Sequence, residues 1–363
     1  MSEAISKGSR AEAPRQFRND SLLQAARGRM PTRAPVWIMR QAGRYLADYR
    51  RVRALFPNFL DFCRSPEHVA EVTIQPVDQI GVDAAILFSD ILVLLPPMGL
   101  EVEFHEKRGP VVANPLRDDA VIAALPDGDL NSDLGYVFEG IRLTKKALGD
   151  RVPLIGFAGG PFTVASYMVE GGSSKELARL KALLFHRPEV FTTLIGKLAS
   201  VTSAYLREQI RQGADVITIM DSWAGYLGPD EYRNLVFPHT RRIIADIKAE
   251  FPLVPVVHYA NGAPHLLPHF TALGADVLGL DWRVNLDDAL RAYPGQIFQG
   301  NLDPCALYGS PEQIAAKVKA MKAQVGPRAH IYNLGHGILP DIKPEHARAF
   351  VDAVHEDSSA LGR

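Results

Sequence analysis

Residues 215–260 read DVITIMDSWAGYLGPDEYRNLVFPHTRRIIADIKAEFPLVPVVHYA. Two short apolar runs, DVITIMD (215–221) and VPVVHYA (254–260), enclose a longer segment with helical spacing, PDEYRNLVFPHTRRIIADIKAEF (229–251). Each run is apolar at nearly every position, as in a strand buried on both faces, and such strands belong to parallel sheets whose crossovers are helices. The same unit repeats along the chain. Toward the N-terminus lie VWIMR (36–40), AAILFS (84–89) and VPLIGFA (152–158). Toward the C-terminus lie DVLGLDW (276–282), QIFQGNLD (296–303) and HIYNLGH (330–336). Further helical patterns run over 188–212 and 310–325. Eight such units joined right-handed predict an α/β fold of one domain, a (β/α)8 TIM barrel. An open doubly wound sheet is the rival, but no GxGxxG follows the first strand and eight similar units favour closure.

Punctuation supports the reading. Ser310, Pro311, Glu312 and Gln313 form an N-cap, an N1 proline and a capping box, and Ser65-Pro66-Glu67 repeats that start signal. GAD at 213–215 and at 274–276 places a glycine where a helix ends before a strand. PPMGLEVEFHEKRGPVV (96–112) reads as a β-hairpin excursion. Residues 1–18 are polar and are expected to form a disordered tail, as are the last few residues; 19–357 are expected to form the barrel domain.

Composition narrows the function. The chain has 363 residues, is 47% hydrophobic and carries a net charge of −1, so no global field draws nucleic acid or a membrane surface. No apolar stretch reaches the roughly 18 residues a membrane helix needs, and the N-terminus lacks the apolar core of a secretory signal. The two cysteines, Cys63 and Cys305, lie far apart with no CxxC or Cys/His cluster. Neither a disulfide framework nor a structural metal site is expected, in keeping with a reducing cytoplasm.

In such a barrel the site lies at the C-terminal ends of the strands. The polar residues ending the apolar runs are Arg40, Asp90, Gly159–Gly160, Asp221–Ser222, His258–Asn261, Asp281, Asn301–Asp303 and His336. Eight arginines crowd residues 27–53 and only Asp48 opposes them. Arg40 ends a strand and Arg44 follows in the same loop. A planar, always-charged fork is what carboxylate or phosphate recognition needs, so a small polyanion is the sharper reading, against a solvated basic face. Asp90 stands among aliphatic residues in ILFSDILVLLPP, where a carboxylate needs a partner: a helix N-cap, a core arginine, or a cationic or N–H-rich ligand. GFAGGPFTVASYMVEGG (156–172) lacks the GK[ST] of a P-loop, yet its glycines admit close backbone approach and Tyr167 offers a phenol. Ser222 and His336 are single polar residues at strand ends, the latter flanked by glycines. No Ser-His-Asp order or nucleophile elbow is present, and lysines are scarce at the strand ends.

Six stretches resemble the uroporphyrinogen decarboxylase family: PVWIMRQAGRYLADYR (35–50), LFSDILVLLPPMGLEVEF (87–104), GFAGGPFTVASYMVEGG (156–172), MDSWAGYLGPDEY (220–232), GNLDP (300–304) and YNLGHG (332–337). They occur in order and span nearly the whole chain. The resemblance implies a (β/α)8 barrel that works as a homodimer in haem and related tetrapyrrole synthesis, removing carbon dioxide from the four acetate side chains of uroporphyrinogen III to give coproporphyrinogen III, with no metal or organic cofactor. The family's substrate-binding positions fall on Arg40, Gln41, Ala42, Gly43, Arg44, Arg53, Asp90, Tyr167, Ser222 and His336. Met220 stands where some members have an aromatic residue. The implied catalytic groups are Asp90, which would hold the pyrrole N–H groups and stabilise a cation, Arg40, which with Arg44 would bind carboxylates, and Tyr167. The proton donor stays open among Arg40, Tyr167 and water. Two rivals stand beside this reading. One is a zinc- and cobalamin-linked methyltransferase on a similar barrel, which would want cysteine and histidine ligands at the mouth. The other is a protein that binds a tetrapyrrole without transforming it.

Overall fold

The computed structural model describes residues 16–105 and 109–356. Its main sheet is parallel and curled, with seven strands: β1 (Ala85–Ile86), β4 (Leu154–Gly159), β5 (Val216–Asp221), β6 (Val256–Ala260), β7 (Val277–Gly279), β8 (Ile297–Leu302) and β9 (His330–Leu334), each paired with the next. The two remaining strands, β2 (Val102–His105) and β3 (Gly109–Val112), form the expected antiparallel hairpin between β1 and β4. Helices cross over between successive barrel strands, including Pro66–Ile80, Pro188–Arg211, Phe237–Glu250 and Pro311–Val325.

The eighth position departs from expectation. Residues 35–39 do not form a full strand but make one parallel bridge, Val36 to Tyr332. Backbone bonds join this segment to β9 on one side (Tyr332 N–H to Pro35 O, 2.8 Å; Trp37 N–H to Tyr332 O, 3.2 Å) and to the start of β1 on the other (Asp83 N–H to Val36 O, 2.8 Å). The remaining donors are satisfied by side chains: Val36 N–H by Asp83 Oδ2 at 2.7 Å, Ile38 N–H by Gln41 Oε1 at 3.0 Å and Met39 N–H by Asn333 Oδ1 at 3.0 Å. The sheet is thus not closed by a continuous ladder, and side chains bridge the eighth position where the ladder stops.

Alternation along each strand divides the apolar residues into two layers. Trp37, Ile86, Ile155, Val216, Met220, Val257, Tyr259 and Ile331 fill the barrel interior. Ile217, Ile219, Val256 and Leu278 face the helices. Leu22 and Ala25 of the short helix Ser21–Ala26 join the interior layer and plug the end opposite the strand C-termini. The Ser310 capping box forms as expected, whereas Ser65 Oγ turns to His68 Nδ1 at 2.7 Å instead of capping its helix. Residues 1–15 of the expected tail lie outside the described residues; Phe17 packs on the interior layer and Arg18 N–H bonds to Asp150 O at 2.8 Å, so these two residues belong with the barrel.

One buried carboxylate ties the plugged end together. Asp83 is fully buried and accepts from Asn19 Nδ2 at 2.7 Å, Val36 N–H, Arg33 and His355 Nε2 at 2.8 Å. Burial alone would raise its pKa, but the bond from His355 and the charges of His355 and Arg33 outweigh burial and hold it below the usual carboxylate value. A carboxylate depressed by folding stabilises the fold above its unfolded pKa, near 4, and loses that contribution as the pH falls through its folded value. Asp83→Ala is expected to cost about 3 kcal/mol, read in a denaturant titration at pH 7, because it removes four bonds and leaves the buried Val36 N–H and the Asn19 amide without their acceptor. A change below about 0.5 kcal/mol would show that the clamp is not holding the ring closed.

Candidate active site

A cleft of about 490 Å³ opens at the C-terminal ends of the strands. Arg40, Gln41, Ala42, Gly43, Arg44, Asp90, Tyr167, Ser222 and His336 all line it. The loop after residue 39 turns sharply because Arg40 adopts φ +63, a left-handed conformation that costs a non-glycine residue of order 1 kcal/mol. That turn lays the Arg40 side chain over Gly337, where a Cβ would lie 2.4 Å from Arg40 Cδ. Gly43 has no room for a side chain either, since its Cβ would meet Arg40 O at 2.8 Å. Gln41 braces the loop from below. It is fully buried, its Oε1 accepts from Ile38 N–H and its Nε2 donates to Ala84 O at 3.0 Å. Its amide is therefore committed to the fold, and what it offers the cleft is backbone.

Charge in the cleft is concentrated on three residues. Among the described residues Arg40 and Arg44 make no ion pair, whereas five others of the arginine cluster are engaged: Arg27 with Leu253 O, Arg33 with Asp83, Arg51 with Glu71, Arg50 with the carbonyls of Arg44 and Tyr45, and Arg53 with Phe56 O. Asp90 accepts from Leu92 N–H at 2.8 Å. Burial pushes its carboxyl up to about 6, against the opposing pull of that N–H and of Arg40. The cleft thus keeps a carboxylate that is ionised at neutral pH but poorly solvated, and so primed for N–H donors or a cation. His336 is brought down to about 4 by burial first and by the charges of Arg40 and Arg283 second, so its ring is neutral at pH 7. Burial raises the Tyr167 phenol, which makes it a weaker acid and keeps it a hydrogen-bond donor.

The other candidates stand elsewhere. Arg53 does not line the cleft; its Nη1 donates to Phe56 O at 2.7 Å. Asp221 precedes Ser222 and, by strand alternation, faces the helices, where its Oδ1 accepts from Thr163 Oγ1 at 2.6 Å. His258 likewise points outward, with its ring centroid 4.8 Å from that of Phe270. The loops after β6, β7 and β8 are laced to each other. Asp281 accepts from Gly262 N–H and from Arg283 N–H at 2.7 Å, Arg283 Nη1 reaches Asn261 Oδ1 at 3.3 Å, and Asn301 Nδ2 donates to Asp281 O at 2.9 Å and Val284 O at 2.8 Å. Asp303 caps the turn at Cys305. The mouth therefore has an open flank, from β9 through β5, and a sealed one.

Sequence reading missed the apolar wall. Phe59 from the short helix Phe59–Cys63, Phe88 after β1, and Phe104 from β2 line the cleft, with ring centroids 5.6 Å apart for Phe59–Phe88 and 4.8 Å for Phe59–Phe104. Tyr49 meets Phe88 edge-on at 5.6 Å. A cleft lined by aromatic rings and by two guanidiniums that make no ion pair among the described residues suits a ligand with a flat apolar body and a carboxylated rim. Among the described residues no group of three or more His, Cys, Asp and Glu side chains is placed to hold a metal ion.

A curled parallel barrel with its polar groups gathered at the strand C-termini defines an α/β-barrel of the enzyme type. The family model for uroporphyrinogen decarboxylase (URO-D) matches residues 17–357. Curated relatives named uroporphyrinogen decarboxylase include one from Alkalilimnicola ehrlichii, 47% identical with 94% of each chain covered. One from Myxococcus xanthus is 45% identical, covering 94% of this chain and 98% of its own. The chain belongs to the uroporphyrinogen decarboxylase family. Among solved structures, a methyltransferase from Methanosarcina mazei superposes with a TM-score of 0.80 at 20% identity, covering 94% of this chain and 99% of that one, which shows a shared fold.

Proposed function

We propose that this chain is a uroporphyrinogen decarboxylase that converts the four acetate side chains of uroporphyrinogen III to methyls. The observation that carries the reading is the combination of one desolvated carboxylate, Asp90, with two guanidiniums, Arg40 and Arg44, that make no ion pair among the described residues, in a cleft walled by aromatic rings. Family membership supports the substrate, and the geometry supports the roles.

Each acetate step needs a place for the electron pair left when the carbon–carbon bond breaks. A pyrrole protonated at ring carbon is a cationic, imine-like acceptor, and the pair flows into it as carbon dioxide departs. The exocyclic methylene so formed takes up a proton and the ring carbon releases one, so the net change is one carboxylate and one proton becoming carbon dioxide and a methyl hydrogen. Asp90, as carboxylate, accepts the pyrrole N–H groups and offsets the positive charge during this passage. Arg40 and Arg44 grip the carboxylated rim. Tyr167 and neutral His336 donate to the remaining carboxylate oxygens. No external electron sink is required by this scheme.

The methyltransferase alternative shares the fold, but the histidines that would serve it are engaged or turned away: His258 faces the helices and His265 Nε2 bonds Leu227 O at 2.8 Å. The proposal includes a cytoplasmic homodimer. The family resemblance supports the dimer, and an exposed free thiol at Cys305 suits a reducing compartment. Among the described residues no helix is long and apolar enough to cross a membrane.

The test is anaerobic incubation with uroporphyrinogen III, a chelator and no added cofactor, followed by oxidation and separation of the products by carboxylate number. Loss of four carboxylates is expected. A folded protein that binds the substrate yet releases no carbon dioxide would overturn the reading in favour of a tetrapyrrole-binding protein.

A further inference from the structure

Ser222 stands between two residues that are tied to the same side chain. Thr163 lies in the first turn of the helix Pro161–Glu170 and is fully buried. Its Oγ1 donates to Asp221 Oδ1 at 2.6 Å and accepts from Trp223 N–H at 3.0 Å. The residue before Ser222 and the residue after it are thus fastened to one hydroxyl. The direction of the first bond sets the second. An ionised Asp221 only accepts, so the hydroxyl proton points at it and the lone pairs face Trp223.

The surrounding backbone is shaped for this junction. The Asp221 carboxyl occupies the space a side chain on Gly160 would need, with Cγ 2.6 Å from the position of a Cβ there. Gly160 N–H bonds Met220 O at 2.8 Å, which pins the start of the helix to the end of β5. One turn further along the same helix, on the same face, stands Tyr167. Its ring meets that of Trp223 edge-on at 6.3 Å. A single hydroxyl therefore joins the end of β5, the Ser222 turn and the helix that carries Tyr167.

We propose that Thr163 is a positioning residue that fixes the orientation of Ser222 and, through Trp223, of Tyr167 toward bound porphyrinogen. This rests on reading Ser222 as a substrate contact. Thr163 touches no substrate; it acts by holding two cleft residues in register with Asp90 and the arginines. Preorganisation of this kind lowers the ordering cost of binding, so its loss is expressed mainly in KM.

The experiment is a double-mutant cycle on the full chain, with uroporphyrinogen III as substrate and thermal melts run alongside. Thr163→Val, nearly isosteric, removes both bonds and is expected to raise KM about tenfold with a smaller change in kcat. Thr163→Ser keeps the hydroxyl and is expected to stay within about twofold of the parent. In a Ser222→Ala background, Thr163→Val is expected to add less than it does alone, because one of the two residues it positions is gone. Should Thr163→Val fail to fold, Asp221→Asn, which preserves shape but frees the hydroxyl to turn, must give the same KM rise. Full additivity of Thr163→Val with Ser222→Ala, a KM rise in Thr163→Ser equal to that in Thr163→Val, or an unchanged KM in a folded Asp221→Asn would overturn the proposal and leave Thr163 a packing residue. A Ser222→Ala variant with unchanged KM is a different pattern: it removes the substrate role of Ser222 and the positioning role together.

Discussion

Asp90→Asn is expected to lower kcat for uroporphyrinogen about 10²–10³-fold, the usual cost of removing a group that stabilises developing charge. The amide keeps the shape and can accept from Leu92 N–H, but it brings no charge to a cationic ring and turns an NH2 toward the pyrrole donors. Its fold should survive. Folding raises the Asp90 pKa to about 6, chiefly through burial, so ionising this carboxyl works against the folded state at pH 7. Neutralising it should leave the melting temperature unchanged or raise it, a pattern common where stability and activity compete. The same carboxyl sets a pH dependence. Below about 6 it takes up a proton and stops accepting two N–H groups at full strength, so kcat/KM of the parent should fall on the acid side with an apparent pKa close to 6. Asp221 is also pushed up to about 6 by burial, so Asp221→Asn is the control, and the acid limb must persist there. Near-normal turnover in Asp90→Asn would remove Asp90 from the mechanism.

Arg40→Gln is expected to reduce kcat/KM roughly 30- to 100-fold, as fits the loss of charge-assisted bonds worth about 2–3 kcal/mol. Arg40 is exposed to the cleft and held by the turn at φ +63 with its chain against Gly337, so its guanidinium is presented rather than stored. Arg40→Lys should recover little, because a point charge does not reproduce the planar fork. A second readout separates this role from general disruption. The charge of Arg40 lowers the pKa of both Asp90 and His336. Its removal should therefore shift the acid limb of kcat/KM to higher pH, and a profile measured from pH 5 to 8 would show it. Activity within threefold of the parent and an unmoved limb would assign carboxylate binding elsewhere.

The barrel was legible in the sequence because strands covered on both faces read as unbroken apolar runs, and seven of the eight runs contain the expected strands. The first, VWIMR, has the same composition yet makes a single bridge. Three of its N–H groups bond to the side chains of Asp83, Gln41 and Asn333, and a hydropathy pattern does not register side-chain acceptors. In the site, polarity at a strand end singled out Arg40, Asp90, Ser222 and His336, all of which reach the cleft. It singled out Asp221, His258 and Asp281 equally well, and these are turned to the helices or to neighbouring loops. For Asp221 the alternation itself held the answer, since it and Ser222 are successive residues and take opposite faces. The aromatic wall escaped notice because Phe59, Phe88 and Phe104 come from three separate elements, each of which reads locally as ordinary core.

The uneven mouth of the barrel has a consequence for how this molecule could be altered. Every group that meets the cleft's contents is delivered by the arc from β9 to β5, while the loops after β6, β7 and β8 spend their polar atoms on one another. The second arc behaves as a retaining wall that acts on the cleft through the charge of Arg283 and the ring of Trp282 beside His336. Retooling for a different carboxylated ring would be confined to five neighbouring loops. An insertion or a fused partner domain would be carried most safely on the laced side, where it would hang beside the entrance without crossing it.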